Sequence, residues 1–415
     1  MVVGIIIGAS IFVQPSEINR HVPSIGGVLA VWAAGGILSL FGALVCAELS
    51  SAFPETGGIY VYLKRTLSPA CGFLWGWAMF WSAHSGIIAA SAVVLARYVG
   101  FFVPLGDGGI RGVAIAAILG LSLVNYAGVR QGSGLQTWIT GSKLAAILLL
   151  LILAFAMGRP SHAPAALPAA AVSFREYVLG VAAALFAFGG WHMVTYAAGE
   201  TRDPRQTIPR ALLTGSLIVS ACYVALNAAY LYLLPIARVT ASQRVAADAA
   251  GAVAGPYGAA IISALVILSA SGVLNGVILA GPRTYYAMAE QGLAPRGLGG
   301  IHQRFHTPYR AIAAQAGWSA VLVATGTYRV LFTRVVYTEW LFFALMTWGL
   351  FRMRRTAGYR PAWPIWGYPV VPLAFGLAAL VVAGIQIAAD PWQAGAGLAI
   401  VVLGLPVYYL WMRPR

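Results

Sequence analysis

Charged residues are scarce in this chain of 415 residues. Asp, Glu, Lys and Arg together make up 9% of the sequence, whereas a soluble globular domain carries about 25%. Hydrophobic residues make up 60%, and the mean hydropathy is +0.81. This composition excludes a soluble globular protein and indicates an integral membrane protein. The long apolar runs, such as Leu144 to Met157 and Leu377 to Ala389, exclude a transmembrane β-barrel.

Cysteine is scarce as well. Cys46, Cys71 and Cys222 fall in or beside apolar segments with no paired spacing, so we expect neither a disulfide framework nor a metal site. We interpret them as small buried hydrophobic residues. None lies in a clear outside loop where it would tether a second chain, so no obligatory partner subunit is expected.

Acidic residues are outnumbered by basic ones, and the net charge is +15. In a soluble protein that excess would suggest nucleic acid as a partner. Here the basic residues lie between apolar segments and are better explained as topology signals. Lysine is nearly absent, with only Lys64 and Lys143 in the chain.

The apolar runs predict about twelve transmembrane helices with short loops and an all-α fold. If the N-terminus is cytoplasmic, roughly 16 basic residues fall inside and roughly 9 outside, which favours cytoplasmic N- and C-termini. The longest polar stretches are 158–175, 235–253 and 290–307. The predicted helices are 1–20, 26–52, 71–99, 110–128, 134–157, 176–199, 209–234, 254–289, 308–326, 330–352, 368–388 and 393–412.

Glycines interrupt the first and sixth of these helices, at Gly8-Ala9-Ser10 and at Gly189-Gly190. A helix in lipid must satisfy its own backbone, so a break is tolerated only where it is buried in protein or lines a cavity. Two breaks in corresponding positions of two halves are typical of a transporter's binding site. For the first break alone, a small-residue packing face is the alternative, since Gly4 and Gly8 form a Gly-x-x-x-Gly pattern.

The chemistry of the two breaks is complementary. Unpaired amides at the first break, near the positive end of a half-helix, suit a carboxylate. Freed carbonyls at the second break suit an ammonium group. Together they describe the two charges of an α-amino acid, with the neighbouring aromatic residues as a candidate gate.

The broken helices are five helices apart, which suggests two inverted five-helix repeats with the breaks meeting at mid-membrane. No letter-by-letter repeat supports this symmetry. We divide the single transmembrane domain into a first repeat (1–157), a second repeat (176–352) and two additional helices (368–412).

The sequence resembles the amino acid–polyamine–organocation superfamily over its whole length, and within it the bacterial relatives of the L-type amino acid transporters. The run at the second break is the most specific element, and the others gain weight from their order. The matching motifs are Ile6-Ile7-Gly8-Ala9-Ser10-Ile11-Phe12, Ala47-Glu48-Leu49, Glu55-Thr56-Gly57-Gly58-Ile59-Tyr60-Val61-Tyr62, Phe186-Ala187-Phe188-Gly189-Gly190-Trp191, Leu274-Asn275-Gly276, Pro282-Arg283 and Trp366-Gly367-Tyr368-Pro369.

The resemblance implies a LeuT-like fold of ten core helices in two inverted repeats, plus two more. It implies that the substrate carboxylate binds backbone at Gly8, Ala9 and Ser10. The amine would bind carbonyls near Ile6, Phe186, Ala187 and Gly189, with Phe186 as the gate. The chain departs from the family at Ala9 and Ser10, where serine then glycine is usual, and Ser10 is expected to narrow the pocket or alter selectivity.

Lys143 lies inside the fifth predicted helix. An ammonium within a membrane protein is costly and functional by default, although a lysine that snorkels to the cytoplasmic end is the alternative. Sodium-independent members of the superfamily carry a lysine here in place of a sodium ion. The resemblance therefore implies that Lys143 braces the first helix against the fifth and eighth, near Ser269 or Ser271.

Several polar residues have weaker assignments. Asn275 is a candidate substrate contact and equally a helix-packing contact, whereas packing is favoured for His192. Glu48 is expected to pair with an arginine. Glu200, Arg202, Asp203 and Arg205 form a cluster that we interpret as a solvated or gate-locking ion-pair network.

These features predict sodium-independent secondary transport of amino acids by alternating access in a bacterial inner membrane, without a cofactor or catalytic residues. Neutral substrates are favoured because no acidic residue lies in the breaks, and exchange and proton symport both stay open. The alternatives are a transport-inactive sensor or N-terminally shortened permease, suggested by the absence of a hydrophilic tail before Val2, and a membrane-embedded enzyme. The scattered histidines argue against the enzyme, and the lack of a P-loop argues against an ATP-driven pump.

Overall fold

The computed structural model describes residues 1–160, 172–242 and 244–411. In these residues the secondary structure is helical and contains no strand. The α-helices are α1 (Val2–Ile6), α2 (Ser10–His21), α3 (Ile25–Ala52), α4 (Ile59–Thr66), α5 (Pro69–Ala78), α6 (His84–Val99), α7 (Asp107–Tyr126), α8 (Val129–Met157), α9 (Phe174–Ala187), α10 (Pro204–Leu233), α11 (Ile236–Ala241), α12 (Val245–Ala254), α13 (Gly258–Glu290), α14 (Tyr309–Thr325), α15 (Tyr328–Arg354), α16 (Val370–Ala389), α17 (Pro391–Val402) and α18 (Gly404–Trp411). A π-helical turn (Met79–Ala83) joins α5 to α6, and 3₁₀ segments cover Trp191–Glu200, Gly255–Tyr257 and Arg296–Gly299.

The all-α membrane architecture is confirmed. Nine helices of the described residues are long and apolar enough to cross a bilayer. The count of twelve is not established by this criterion, because three predicted helices are absent from the nine. The first is divided into α1 and α2, the ninth corresponds to α14, which has only 17 residues, and the tenth corresponds to α15. The nine spans are Ile25–Ala52, Pro69–Val99, Asp107–Tyr126, Val129–Met157, Phe174–Glu200, Pro204–Leu233, Gly258–Glu290, Val370–Ala389 and Pro391–Leu410.

The sequence-based boundaries are wrong in several places. The polar stretch 235–253 contains α11 and most of α12; α12 is alanine-rich, and Asp248 in its first turn complements the helix dipole. The loop after the second predicted helix contains α4. The last predicted helix, 393–412, is divided between α17 and α18. Its final residue, and residues 161–171 of the stretch 158–175, lie outside the described residues.

The two broken segments run antiparallel. The first passes from α1 to α2 through residues 7–9, and the second passes from α9 to the 3₁₀ segment through residues 188–190. At one end, His21 of α2 contacts Glu176 of α9, with Nδ1 and Oε2 2.6 Å apart. At the centre, Gly190 has φ +99°, and a Cβ there would lie 2.7 Å from Cγ2 of Ile5. The breaks therefore lie against each other.

An aromatic cluster packs behind the second break. Phe188, Trp32 of α3 and Tyr223 of α10 are buried, with ring centroids 4.9–6.1 Å apart. Gly35 of α3 lets the Phe188 ring approach, since a Cβ there would lie 3.1 Å from it. This packing fixes the second break against α3 and α10, in the core of the bundle.

Candidate functional site

A cavity of about 320 Å³ adjoins both breaks. Its walls come from the first broken segment, the second broken segment and four further helices: α6, α13, α15 and α16. The lining residues are Ile5, Ile6, Gly8, Ala9, Ser10, Gln14, Ile87, Ala90, Ser91, Val94, Ala182, Leu185, Phe186, Ala187, Gly189, Gly190, Trp191, Met193, Val273, Val277, Glu339, Trp340, Phe343 and Gln386.

The structure brings most of the sequence-predicted site residues together at this cavity. Those that line it are Ile6, Gly8, Ala9, Ser10, Phe186, Ala187 and Gly189. Phe186, the expected gate, is 42% exposed. Gly8 packs closely on α13, because a Cβ there would lie 2.9 Å from Cγ2 of Val273.

The first break offers backbone donors. The first N–H groups of a helix have no partner inside that helix. At the start of α2, the amides of Ala9 and Ser10 donate no hydrogen bond within the described residues. Both residues line the cavity, so the site has donors for an anionic group.

Asn275 lies elsewhere. Its side chain is buried and is absent from the cavity wall. Its Nδ2 donates to the Gly132 carbonyl (3.1 Å) and to Oε1 of Gln136 (2.9 Å), and its Oδ1 accepts from Asn125 (2.8 Å). These bonds join α13 to α7 and α8, so they correspond to the helix-packing role that was the alternative to substrate contact for Asn275.

Lys143 is fully buried and reaches the first break. Its Nζ donates to the carbonyls of Gly4 (2.8 Å) and Ile7 (2.6 Å). It also packs on Gly272 of α13, where a Cβ would lie 2.5 Å from Nζ. The ammonium therefore connects the broken first segment to α8 and α13. Snorkelling is excluded, since the side chain does not reach the surface.

Tyr223 is a site residue that the sequence analysis missed. Its hydroxyl lies 2.9 Å from the carbonyl oxygen of Ile6 and 3.1 Å from that of Ala187. It therefore bridges the two breaks through carbonyls that the resemblance assigned to the amine. A tyrosine inside an apolar helix has no sequence signature for this role, because the contact joins positions 217 and 36 residues apart.

Glu48 pairs with an arginine, as predicted. Its buried carboxylate accepts from Nε (2.7 Å) and Nη2 (2.5 Å) of Arg354. The Ile365 amide donates to the same carboxylate at 2.7 Å. The pair fastens α3 to the end of α15, away from the cavity.

The charge cluster after the second break is only partly an ion-pair network. Glu200 binds Arg283 of α13 through two contacts, to Nε (2.8 Å) and Nη2 (2.7 Å). Arg283 also donates to the Leu279 carbonyl. Arg202, Asp203 and Arg205 form no ion pair within the described residues. The Glu200–Arg283 pair lies at the end of the second broken segment opposite α9.

His192 packs among aromatic rings and does not line the cavity, but it contacts Glu339, which does. Its Nε2 lies 3.4 Å from Oε1 of Glu339 on α15. Glu339 was also missed by the sequence analysis. As the only acidic residue of the predicted helix 330–352, it carried the usual signal of an intramembrane functional group. Among the described residues, no group of three His, Cys, Asp or Glu side chains could hold a metal.

Broken antiparallel helices that line a cavity are typical of secondary membrane transporters. Comparison with known proteins specifies the class. The sequence profile of the amino acid permease family matches residues 1–405, and the chain belongs to this family. It is an amino acid transporter of the membrane and not an enzyme.

Characterised transporters resemble the chain along almost its full length. The serine/threonine exchanger SteT of Bacillus subtilis is 30% identical over 99% of this chain and 94% of its own length. The mouse Asc-type amino acid transporter 1 is 30% identical over 99% of the chain and 79% of its own length. The human cystine/glutamate transporter is 27% identical over 100% of the chain and 85% of its own length.

Proposed function

We propose that the protein is a sodium-independent secondary transporter of neutral L-amino acids that works by alternating access. The observation that carries the proposal is the position of Lys143. Its ammonium binds two backbone carbonyls of the first broken segment, which is the coordination that a bound cation would otherwise have. A fixed cation at this point removes the need for a sodium ion.

The substrate is expected to bind across the two breaks. Its carboxylate would accept hydrogen bonds from the backbone at Gly8, Ala9 and Ser10, at the positive end of α2. Its ammonium would bind the carbonyls of Ile6, Phe186, Ala187 and Gly189. The proposal is supported by the cavity, which is lined by all seven residues. Phe186, exposed in this conformation, would cover the bound amino acid in the closed one.

The fold is expected to comprise two inverted repeats, 1–157 and 176–352, followed by two helices in 368–412. The antiparallel course of the two broken segments and the contact between their breaks support this division. We further expect cytoplasmic termini, a bacterial inner membrane and function without a partner subunit. Exchange is favoured over proton symport because the similar bacterial protein is named an exchanger.

The test is uptake of labelled amino acids into proteoliposomes without sodium. Unlabelled amino acid is loaded inside or omitted, and a pH gradient is imposed or omitted. Uptake without sodium that requires internal amino acid identifies an exchanger, and uptake that requires the pH gradient identifies a proton symporter.

Two results would contradict the proposal. Uptake that requires sodium would overturn the role of Lys143. Absence of any amino acid uptake, by folded protein present in both orientations, would favour the transport-inactive alternative.

A further inference from the structure

One wall of the cavity is acidic. Glu339 is the only acidic or basic residue among those that line it in the described part of the chain. The side chain is 13% exposed, and the other residues of α15 that line the cavity are the aromatic Trp340 and Phe343. The carboxyl group thus lies between the protein interior and the cavity.

The protein side of this carboxyl group is poorly satisfied. Its ion-pair contact within the described residues is with Nε2 of His192, at 3.4 Å, which is longer than a good hydrogen bond. Neither ring nitrogen of His192 forms a hydrogen bond. The imidazole is enclosed by Trp75, Trp191 and Phe343, with ring centroids 5.3–5.7 Å away.

A carboxyl group in such a place needs a donor. An unpaired polar group in an apolar interior costs free energy that a hydrogen bond would recover. Among the described residues no lysine or arginine lines the cavity, so a donor that enters the cavity with the substrate is suited to bind this carboxyl group. The backbone breaks have groups suited to the charges of an α-amino acid, which leaves the substrate side chain to face Glu339.

We propose that Glu339 is the specificity-determining residue of the site and binds a hydrogen-bond donor at the end of the substrate side chain. The inference rests on the proposed function, because it requires an amino acid in the cavity. The donor is a hydroxyl group or an ammonium group. The sequence-based preference for neutral substrates considered only the breaks, and Glu339 lies outside them.

The test compares substrates that differ in the donor alone. Threonine and valine have the same shape, and lysine and norleucine differ in the terminal ammonium. Dissociation constants are measured on purified protein by thermal stabilisation, which requires no turnover. We expect the partner with the donor to bind about tenfold or more tightly in at least one pair.

Variants assign the preference to Glu339. Glu339→Leu should abolish it, since no acceptor is left. Glu339→Gln should preserve a preference for threonine, because the amide oxygen still accepts, but should lose a preference for lysine, because the charge is gone. Glu17→Gln changes a half-exposed carboxylate on α2 and should leave every ratio unchanged.

The inference would be overturned if the unaltered protein bound threonine as tightly as valine and lysine as tightly as norleucine. It would also be overturned if Glu339→Leu kept the preference for the ligand with the donor. If Glu339→Leu does not fold, two other variants decide. For an ammonium donor, the ratio of the dissociation constants of lysine and norleucine is measured in Glu339→Gln. For a hydroxyl donor, Glu339→Asp is used, since the shorter acid should weaken the binding of threonine relative to that of valine. Alanine serves as the reference ligand. Binding of alanine with flat ratios would leave the proposed function intact, whereas no binding of any amino acid would contradict both.

Discussion

Lys143 shows how one side chain can connect three helices. Its ammonium is held by carbonyls of Gly4 and Ile7 and packs against Gly272. The glycine leaves just the space that the end of the lysine fills. Removing the ammonium would leave two carbonyls at the first break without their partner, and a buried acceptor without a donor is costly.

Lys143→Ala should therefore lower the uptake measured without sodium by at least about tenfold, if each lost bond to the charged group is worth 1.5–3 kcal/mol. Folding should be largely intact, because the helices around it keep their apolar packing. The matched control is Lys64→Ala, which changes the other lysine; Lys64 is partly exposed and donates to Gln291. Uptake by Lys143→Ala close to that of Lys64→Ala would contradict the prediction.

Tyr223 is the second residue for which a single atom matters. Its hydroxyl bridges the carbonyls of Ile6 and Ala187, so it fixes the distance between the two breaks. Tyr223→Phe keeps the ring and its contacts with Trp32 and Phe188. We expect it to lower stability by about 1 kcal/mol and to weaken substrate binding several-fold, because the breaks lose their link.

The measurement for Tyr223→Phe is KM for uptake together with the melting temperature. Asn227→Ala, one turn further along α10, provides the comparison, since that side chain bonds only to the Tyr223 carbonyl within the described residues. It should alter the melting temperature without a matching rise in KM. An unchanged KM in Tyr223→Phe would show that the hydroxyl does not position the breaks.

Sequence patterns identified Lys143 but not Tyr223 or Glu339, and the reason is physical. A lysine in an apolar helix is conspicuous because burying its charge is expensive. A tyrosine is a normal component of a membrane helix, and its role depends on carbonyls that only the fold brings within reach. Glu339 was equally conspicuous, but its relevance depends on the side of α15 that faces the cavity, which composition does not reveal.

At the scale of elements, the two glycines of the second break have different roles. Gly190 has φ +99° and lies against Ile5, whereas the nearest atom to a Cβ at Gly189 would be the Phe186 carbonyl oxygen at 3.5 Å, an ordinary contact. A left-handed backbone conformation costs a non-glycine residue about 1–3 kcal/mol. The geometry of the break therefore depends on Gly190, whereas Gly189 has room for a methyl group.

Gly190→Ala should lower the stability of the protein by about 1–3 kcal/mol, more so because the new methyl group would meet Ile5. Gly189→Ala should leave the melting temperature almost unchanged. Thermal unfolding of the two variants in the same detergent tests the difference. Equal melting temperatures would mean that the chain rearranges at Gly190 without strain.

Elements were predicted well where hydrophobicity was long and continuous, as in α3 and α10, which begin and end within a few residues of expectation. The short helices α4, α11 and α12 were missed because their lengths fall below what a membrane span requires. The glycines in the sequence indicated where the two breaks lie, but they did not show that residues of both breaks line the same cavity.

At the scale of the whole molecule, the Glu200–Arg283 pair lies at the end of the second broken segment that is remote from the break. The cavity is lined by Ala182 and Phe186 before the break and by Trp191 and Met193 just after it, whereas Glu200 is the last residue of the 3₁₀ segment. The pair fastens that segment to α13, which also packs against Lys143. A contact between two elements is thus present at the end where Glu200 and Arg283 meet, while Phe186 on the other side of the break is exposed.

The alternating access proposed above would require the Glu200–Arg283 contact to separate in the opposite conformation. Arg283→Ala removes it and should shift the population towards the state open at this end, since a conformational equilibrium follows the loss of contacts specific to one state. The measurement is labelling of Ser10→Cys, in a background without the three native cysteines, by an impermeant thiol reagent. With the reagent on the Glu200 side, we expect the Ser10→Cys protein to be labelled several-fold faster when it also carries Arg283→Ala than when it does not. Arg65→Ala breaks an exposed pair with Glu55 and should not accelerate the labelling. Equal labelling rates in the Arg283→Ala and Arg65→Ala variants would show that the Glu200–Arg283 pair does not hold this end closed.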